Sequence, residues 1–277
     1  MKHCHFSILY NELPFLKVKL PFLYEHFQQL IFFDLNITNN TISNDGSHEF
    51  IASYPDPENK ITLIENVNLK EIIEYCGESF VKKQKMFAVG SHRVKDNMDV
   101  FWCTDMDEFF DKKMIKDVEE ALSDSQIQSV NIDHIIFIKD TDHYFVEQNK
   151  NNIPFYCRVA RHKKGNLYGH CSLGKQFLPS ATIEDNYIRH YAYIGNKRVL
   201  HKLFLYSQKD RSLRRKYINY INNVWFNNKE LTHPSPYNNW KVKFDNAITH
   251  PSYIDCNALC NELDNVEYDD KWFKLSK

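Results

Sequence analysis

Two aspartates one residue apart, Asp105 and Asp107, follow a short apolar run, VFWC, and precede Glu108-Phe109-Phe110. If VFWC is a strand, side chains at i and i+2 point the same way and the two carboxylates converge. Carboxylate oxygens suit Mg²⁺ or Mn²⁺, and either ion also takes oxygens from a diphosphate. A metal held there would neutralise charge on a departing diphosphate, which is Lewis-acid catalysis. In an open parallel sheet, ligands bind beyond the carboxyl ends of the strands, where this pair falls. Taken alone, an acidic pair at a strand end is as readily a solvated turn.

The flanking sequence must supply the sheet. Residues 6–10 (FSILY) read as a strand. Leu16, Leu20, Leu23 and Phe27 recur on one face of a helix, with Pro14 in its first turn and Pro21 expected to kink or split it. Residues 30–33 (LIFF) and 60–64 (KITLI) read as two more strands, separated by an Asn-, Thr- and Ser-rich loop over 36–47. Ser47 is placed to cap a short helix. A helix is expected over about 70–95, and VFWC gives a fourth strand. Met114, Val118, Ala121 and Leu122 mark an amphipathic helix, and residues 127–138 a longer strand. Residues 140–154 read as a polar loop, and 158–194 as short strand-like pieces. Leu213, Tyr217, Tyr220, Ile221, Val224 and Trp225 mark a late helix, and a Pro- and Asn-rich tail follows residue 227. Strands alternating with helices imply an α/β fold with a mostly parallel central sheet flanked by helices, plus a C-terminal helical extension.

Composition narrows the function classes. Lys+Arg 35 against Asp+Glu 36 leaves a net charge of −1, which argues against a nucleic-acid binder and against a polybasic membrane anchor. No run of about 18 apolar residues exists, so no transmembrane helix is expected. The N-terminal residues lack the pattern of a signal peptide. Seven cysteines without a CxxC pair fit reduced thiols, and a cytoplasmic protein is expected. Cys256 and Cys260 share a helical spacing, but no second pair accompanies them to complete a metal site. GxGxxG, GxxxxGK[ST], HExxH and GxSxG are all absent.

Four segments, in order, resemble one family. The stretch from Phe101 to Phe110 looks like the DxDEF segment of glycosyltransferases with the GT-A fold, of the family-two-like and family-ninety-two-like groups. Asn11-Glu12 is similar to the NE that opens those enzymes. Phe33-Asp34-Leu35-Asn36 with Asn44-Asp45-Gly46-Ser47 resembles their DNxSxDGS loop, here interrupted over 38–43. Gly174-Lys175-Gln176-Phe177 with Ile188-Arg189-His190-Tyr191 resembles their late K…H segment. The resemblance covers roughly residues 5–205. That leaves residues 206–277 as a C-terminal helix and tail packed on the same domain.

The resemblance implies roles residue by residue. Asp34, or Asp45, would hydrogen-bond the nucleotide base, and Glu12 would line its pocket. Asp105 would lie near ribose and metal, Asp107 would be the main metal ligand, and His190 would complete the shell. Lys85 and Lys202 would neutralise diphosphate. The general base would be a carboxylate after the long strand, Asp140 or Asp142, with Glu184 and Asp185 behind them. The implied cofactors are Mn²⁺ or Mg²⁺ and a nucleoside-diphosphate sugar, expected to be a UDP-sugar, with a glycan hydroxyl as acceptor. The competing readings are a haloacid-dehalogenase-like phosphatase, a catalytically inactive glycan-binding relative, and a sugar nucleotidyltransferase, whose Gly- and Arg-rich loop after the first strand is replaced here by Asn11-Glu12-Leu13-Pro14. The phosphatase pattern places Thr or Val where this chain has Phe109.

Overall fold

The computed structural model describes residues 1–34, 41–66, 82–147, 155–164, 179–195, 198–199, 240–244 and 248–266. The chain divides into two compact units. One comprises Met1–Asp133 with Phe155–Tyr187, the other His134–Pro154 with Ile188–Lys277.

The first unit is α/β. Strand β1 (His3–Ile8) leads into α1 (Leu13–His26), β2 (Gln29–Phe33), α2 (Ser47–Ala52) and β3 (Ile61–Ile64). Then come α3 (Lys82–His92), β4 (Val100–Cys103), the two-residue β5 (Glu108–Phe109) and α4 (Lys112–Ala121). Strand β6 (Ser129–Lys139) starts here, and β8 (Phe155–Arg161) and the first part of β9 (Ser180–Ile194) complete the unit. Strand order runs β6-β8-β4-β1-β2-β3. The β4-β1-β2-β3 half is parallel, while β8 pairs antiparallel with both β4 and β6. The carboxyl ends of four parallel strands therefore share one edge.

Strands buried on both faces read as continuous apolar runs rather than alternations. All five residues of β2 and all four of β4 are buried. Phe6, Ile31, Phe33, Phe87, Val89 and Phe101 form one cluster on a face of this sheet, and each fully buried side chain of this size contributes about 1.5–3 kcal/mol. Trp102 stacks on Phe110 at 4.9 Å and donates its indole N–H to His3 Nδ1 at 2.9 Å. Helix α4 is capped by Asp111, which accepts from the Met114 N–H at 2.9 Å, and it buries Met114, Ile115 and Val118.

Pro21 does not split α1, which runs unbroken through it. Pro21 and Lys17, whose carbonyl the missing N–H would have met, are both exposed, so water reaches that turn.

In the second unit β6 continues and turns into β7 (His143–Glu147), with Phe137 opposite Tyr144. This corrects the loop expected over 140–154 for residues 143–147, while 148–154 lie outside the described residues. The turn occupies only Asp140–Asp142, with Lys139 at φ 72°. The expected tail also contains structure: β10 (Trp240–Phe244) pairs antiparallel with β7, and α5 (Cys256–Asn265) is capped by Asp255 and buries Leu259 and Leu263. The late helix expected at 213–225 lies outside the described residues, as does most of the 70–95 helix up to residue 81. No helix among the described residues is long and apolar enough to cross a membrane.

Candidate functional site

The site is built where β1, β2 and β4 end. Beyond β1 the chain reverses at Asn11, which takes φ 56°, a left-handed conformation that asparagine tolerates. The loop after β2 is tied to this corner. Asn11 N–H donates to Ser43 Oγ at 3.0 Å, and Asn44 N–H donates to Asn11 Oδ1 at 2.9 Å. Glu12 N–H donates to Ser47 Oγ at 3.1 Å, and Leu13 N–H donates to Asp45 Oδ2 at 3.0 Å. Asp45 thus satisfies an orphan donor at the start of α1, whose own N-cap residue, Glu12, makes no such bond. Asp45 Oδ1 also accepts from Ser47 N–H, folding its own turn around Gly46 at φ 91°.

Asp34 is fully buried just past β2. One oxygen accepts from Ser43 N–H at 3.0 Å and Ser43 Oγ at 2.5 Å, and the other lies 3.0 Å from His48 Nδ1. His48 Nε2 is 3.3 Å from Glu65. The resemblance implied that Asp34, or Asp45, hydrogen-bonds a nucleotide base. In the structure their bonds shape the loop, and His48 on α2 is the half-buried polar group beside them.

Asp105 and Asp107 do not continue β4, which ends at Cys103; they lie in a turn closed by Glu108 N–H donating to the Asp105 carbonyl at 3.1 Å. The alternation of strand side chains therefore does not orient them; the turn does. Asp105 is half-buried and Asp107 is 4% exposed. Glu108 Oε2 accepts from Asp105 N–H at 3.0 Å, and Glu108 is ion-paired with the buried Arg158 of β8. Lys19 of α1, fully buried, donates to the Asp105 carbonyl at 2.6 Å and to Thr104 Oγ1 at 2.9 Å. Burial pulls the Lys19 ammonium down to about 8, against the opposing pull of the Glu108, Asp107 and Asp105 charges.

Beneath the turn, Thr104 Oγ1 lies 2.7 Å from His5 Nε2, and the Thr104 carbonyl accepts from Ser7 Oγ at 2.6 Å. Burial, and secondarily Lys19, hold His5 well below the ordinary imidazole range. Lys19 takes one lone pair of the Thr104 hydroxyl, which keeps a second lone pair and its proton for the contact with His5 Nε2. Among the described residues, His5 Nδ1 is buried with no hydrogen-bond partner.

The structure thus gathers Glu12, Asp34, Asp45, Asp105 and Asp107 at one sheet edge of the first unit. His190, Asp140 and Asp142 belong to the second. His190 lies on β9 with its ring 6.5 Å from that of His134. Asp140 accepts from the N–H groups of Asp142 and His143 and is 2.7 Å from His143 Nδ1, the bonding of a turn-forming aspartate. Lys85 falls in α3 with its side chain outside the described residues, and Lys202 lies outside them altogether.

Among the described residues, no group of three or more His, Cys, Asp or Glu side chains is arranged to hold a metal ion. The donor set at the turn is two carboxylates. That suits an ion of the Mg²⁺ type, which keeps waters and takes its other ligands from substrate phosphates.

Sequence reasoning missed Lys19, Thr104, His5 and Arg158. The available signal was Lys19 itself, a charge set between Phe15, Phe22 and Leu23 in the apolar stripe of α1.

No family model matches the chain, and no curated protein matches it in sequence. Among solved structures, 4-diphosphocytidyl-2C-methyl-D-erythritol synthase from Anaerococcus prevotii overlaps 72% of this chain and 95% of its own, at TM-score 0.41 and 10% identity. TarS from S. aureus, as its fragment 1–349, overlaps 82% of this chain and 72% of its own, at TM-score 0.40 and 11% identity. A longer TarS structure overlaps 80% and 40%, at TM-score 0.41 and 10% identity. Overlaps this loose assign no activity.

Proposed function

We propose that the chain is a metal-assisted glycosyltransferase, moving a sugar from a nucleoside-diphosphate donor, a UDP-sugar, to a glycan hydroxyl. One observation carries this reading. The Asp105–Asp107 turn stands at the carboxyl end of β4, beside the β1–α1 corner and the loop after β2, on the edge where an open parallel sheet binds ligands. The carboxylates of Asp105 and Asp107 would hold Mn²⁺ or Mg²⁺, with diphosphate oxygens from the donor. When bound, the ion supplies Lewis acidity toward the departing diphosphate. The loop residues Ser43–Ser47, pinned to Asn11, Glu12 and Leu13, would form the wall against the nucleoside. Asp34 and Asp45 would hold that wall in shape rather than touch the base.

Ligands that bind only the native state raise its stability by mass action. One nucleoside diphosphate among UDP, GDP and CDP is expected to raise the melting temperature in the presence of Mn²⁺ but not without it. Asp107→Ala is expected to abolish the rise. If no nucleoside diphosphate shifts the transition with either metal, the reading fails. Release of phosphate from p-nitrophenyl phosphate, lost in Asp105→Asn, would favour the phosphatase instead.

A further inference from the structure

Lys19 is the only lysine among the described residues that is fully buried. It occupies a position on α1 that suits an apolar side chain, since Phe15, Phe22 and Leu23, one helical turn away on either side, are also buried. A charge in such a place is expensive unless it is well partnered. Its partners are all in one turn. Nζ donates to the Asp105 carbonyl at 2.6 Å and to Thr104 Oγ1 at 2.9 Å, and it lies 5.8 Å from the centres of both the Phe109 and Phe110 rings.

The other side of Asp105 is held as well. Its N–H donates to Glu108 Oε2 at 3.0 Å, and Glu108 is anchored by Arg158. Both peptide groups flanking Asp105 are thus gripped by buried charged side chains, Lys19 of α1 and Glu108 of β5, and Glu108 is held in turn by Arg158 of β8. A turn that only had to close would need neither, because the Glu108 N–H already bonds the Asp105 carbonyl.

We propose that Lys19 is a positioning residue, fixing the Asp105 peptide so that the Asp105 and Asp107 carboxylates meet a divalent cation and a diphosphate without reorganising. This rests on the metal-assisted reading above. Groups behind metal ligands typically matter by 10–100-fold in affinity when removed.

Electrostatics alone makes the opposite prediction. Removing a positive charge near two carboxylates strengthens their attraction for a cation. Lys19→Met, similar in length and apolar, separates the two. The expected result is Mn²⁺ binding weakened by about tenfold, read from the free-ion electron paramagnetic resonance signal. Amide exchange across residues 104–109 should also be faster than in wild type. Lys19→Gln, which keeps a neutral donor, is expected to recover part of both, and it serves as the test variant if Lys19→Met does not fold. Mn²⁺ bound as tightly as in wild type or tighter, or exchange of the turn unchanged, overturns the role of Lys19 alone. Wild type that binds neither Mn²⁺ nor any nucleoside diphosphate overturns the transferase reading, and the positioning role with it.

Discussion

Asp34 separates two roles that a buried aspartate near a ligand edge can have. Its bonds run to Ser43 and His48, so Asp34→Ala leaves buried donors without an acceptor. The expected loss is about 2–4 kcal/mol in chemical denaturation, since each orphaned buried group costs about 1–3 kcal/mol. A residue that read the base instead would, when removed, alter nucleotide preference and leave stability nearly intact. Asp133 offers a second test at this scale. Burial, and then the nearby Glu184 charge, raise its carboxyl from the ordinary 3.8 to about 6. The folded state then binds more protons than the unfolded state between those values, so this group's contribution falls as pH rises from about 4 through 6. Asp133→Asn should therefore melt higher than wild type at pH 7, and the difference should shrink toward pH 4. A gap that is constant across that range would refute the shift.

Among the elements, Gly90 in α3 faces Phe6 of β1 so closely that a Cβ there would lie 2.0 Å from the ring. Gly90→Ala is expected to cost about 1–3 kcal/mol through overpacking, despite the better helix propensity of alanine. A helix placed loosely on the sheet would instead gain stability from that change, so a denaturation midpoint decides. The same elements show what a sequence can and cannot reveal. Strands β2 and β4 were legible because both faces are buried and the apolar run is unbroken. Helix α4 was legible because its apolar residues follow the helical period. Strand β7, HYFVE, was read as loop because the Asp-Thr-Asp before it signals a turn and its five residues are too few to show alternation. Strand β10 does alternate, but it was submerged in Pro- and Asn-rich surroundings. At the site, the acidic pair was visible as a motif. Its conformation was not, since the turn is held by Lys19 and Glu108, and bonds across 86 residues of chain leave no local pattern.

For the whole molecule, the two units are each made of discontinuous segments, and two of the three boundaries fall inside strands, β6 and β9, while the third falls just before β8. The sequence suggests a catalytic domain over residues 1–205 with a C-terminal helix and tail, 206–277, packed on the same domain. Ending the chain at 205 would strip β10 from β7 and remove the helix that buries Leu259 and Leu263. An edge strand bared in this way pairs with copies of itself, so the truncated chain is expected to aggregate while the full chain does not. Elution as a well-behaved monomer would show the C-terminal part to be dispensable. One last property follows from Trp102. Its indole is buried, stacked on Phe110 and bonded to His3, directly behind the Asp105–Asp107 turn. The other three tryptophans, Trp225, Trp240 and Trp272, all lie beyond residue 195. Converting those three to phenylalanine would leave a single emitter behind the acidic turn, so the protein carries its own fluorescent gauge of what happens there.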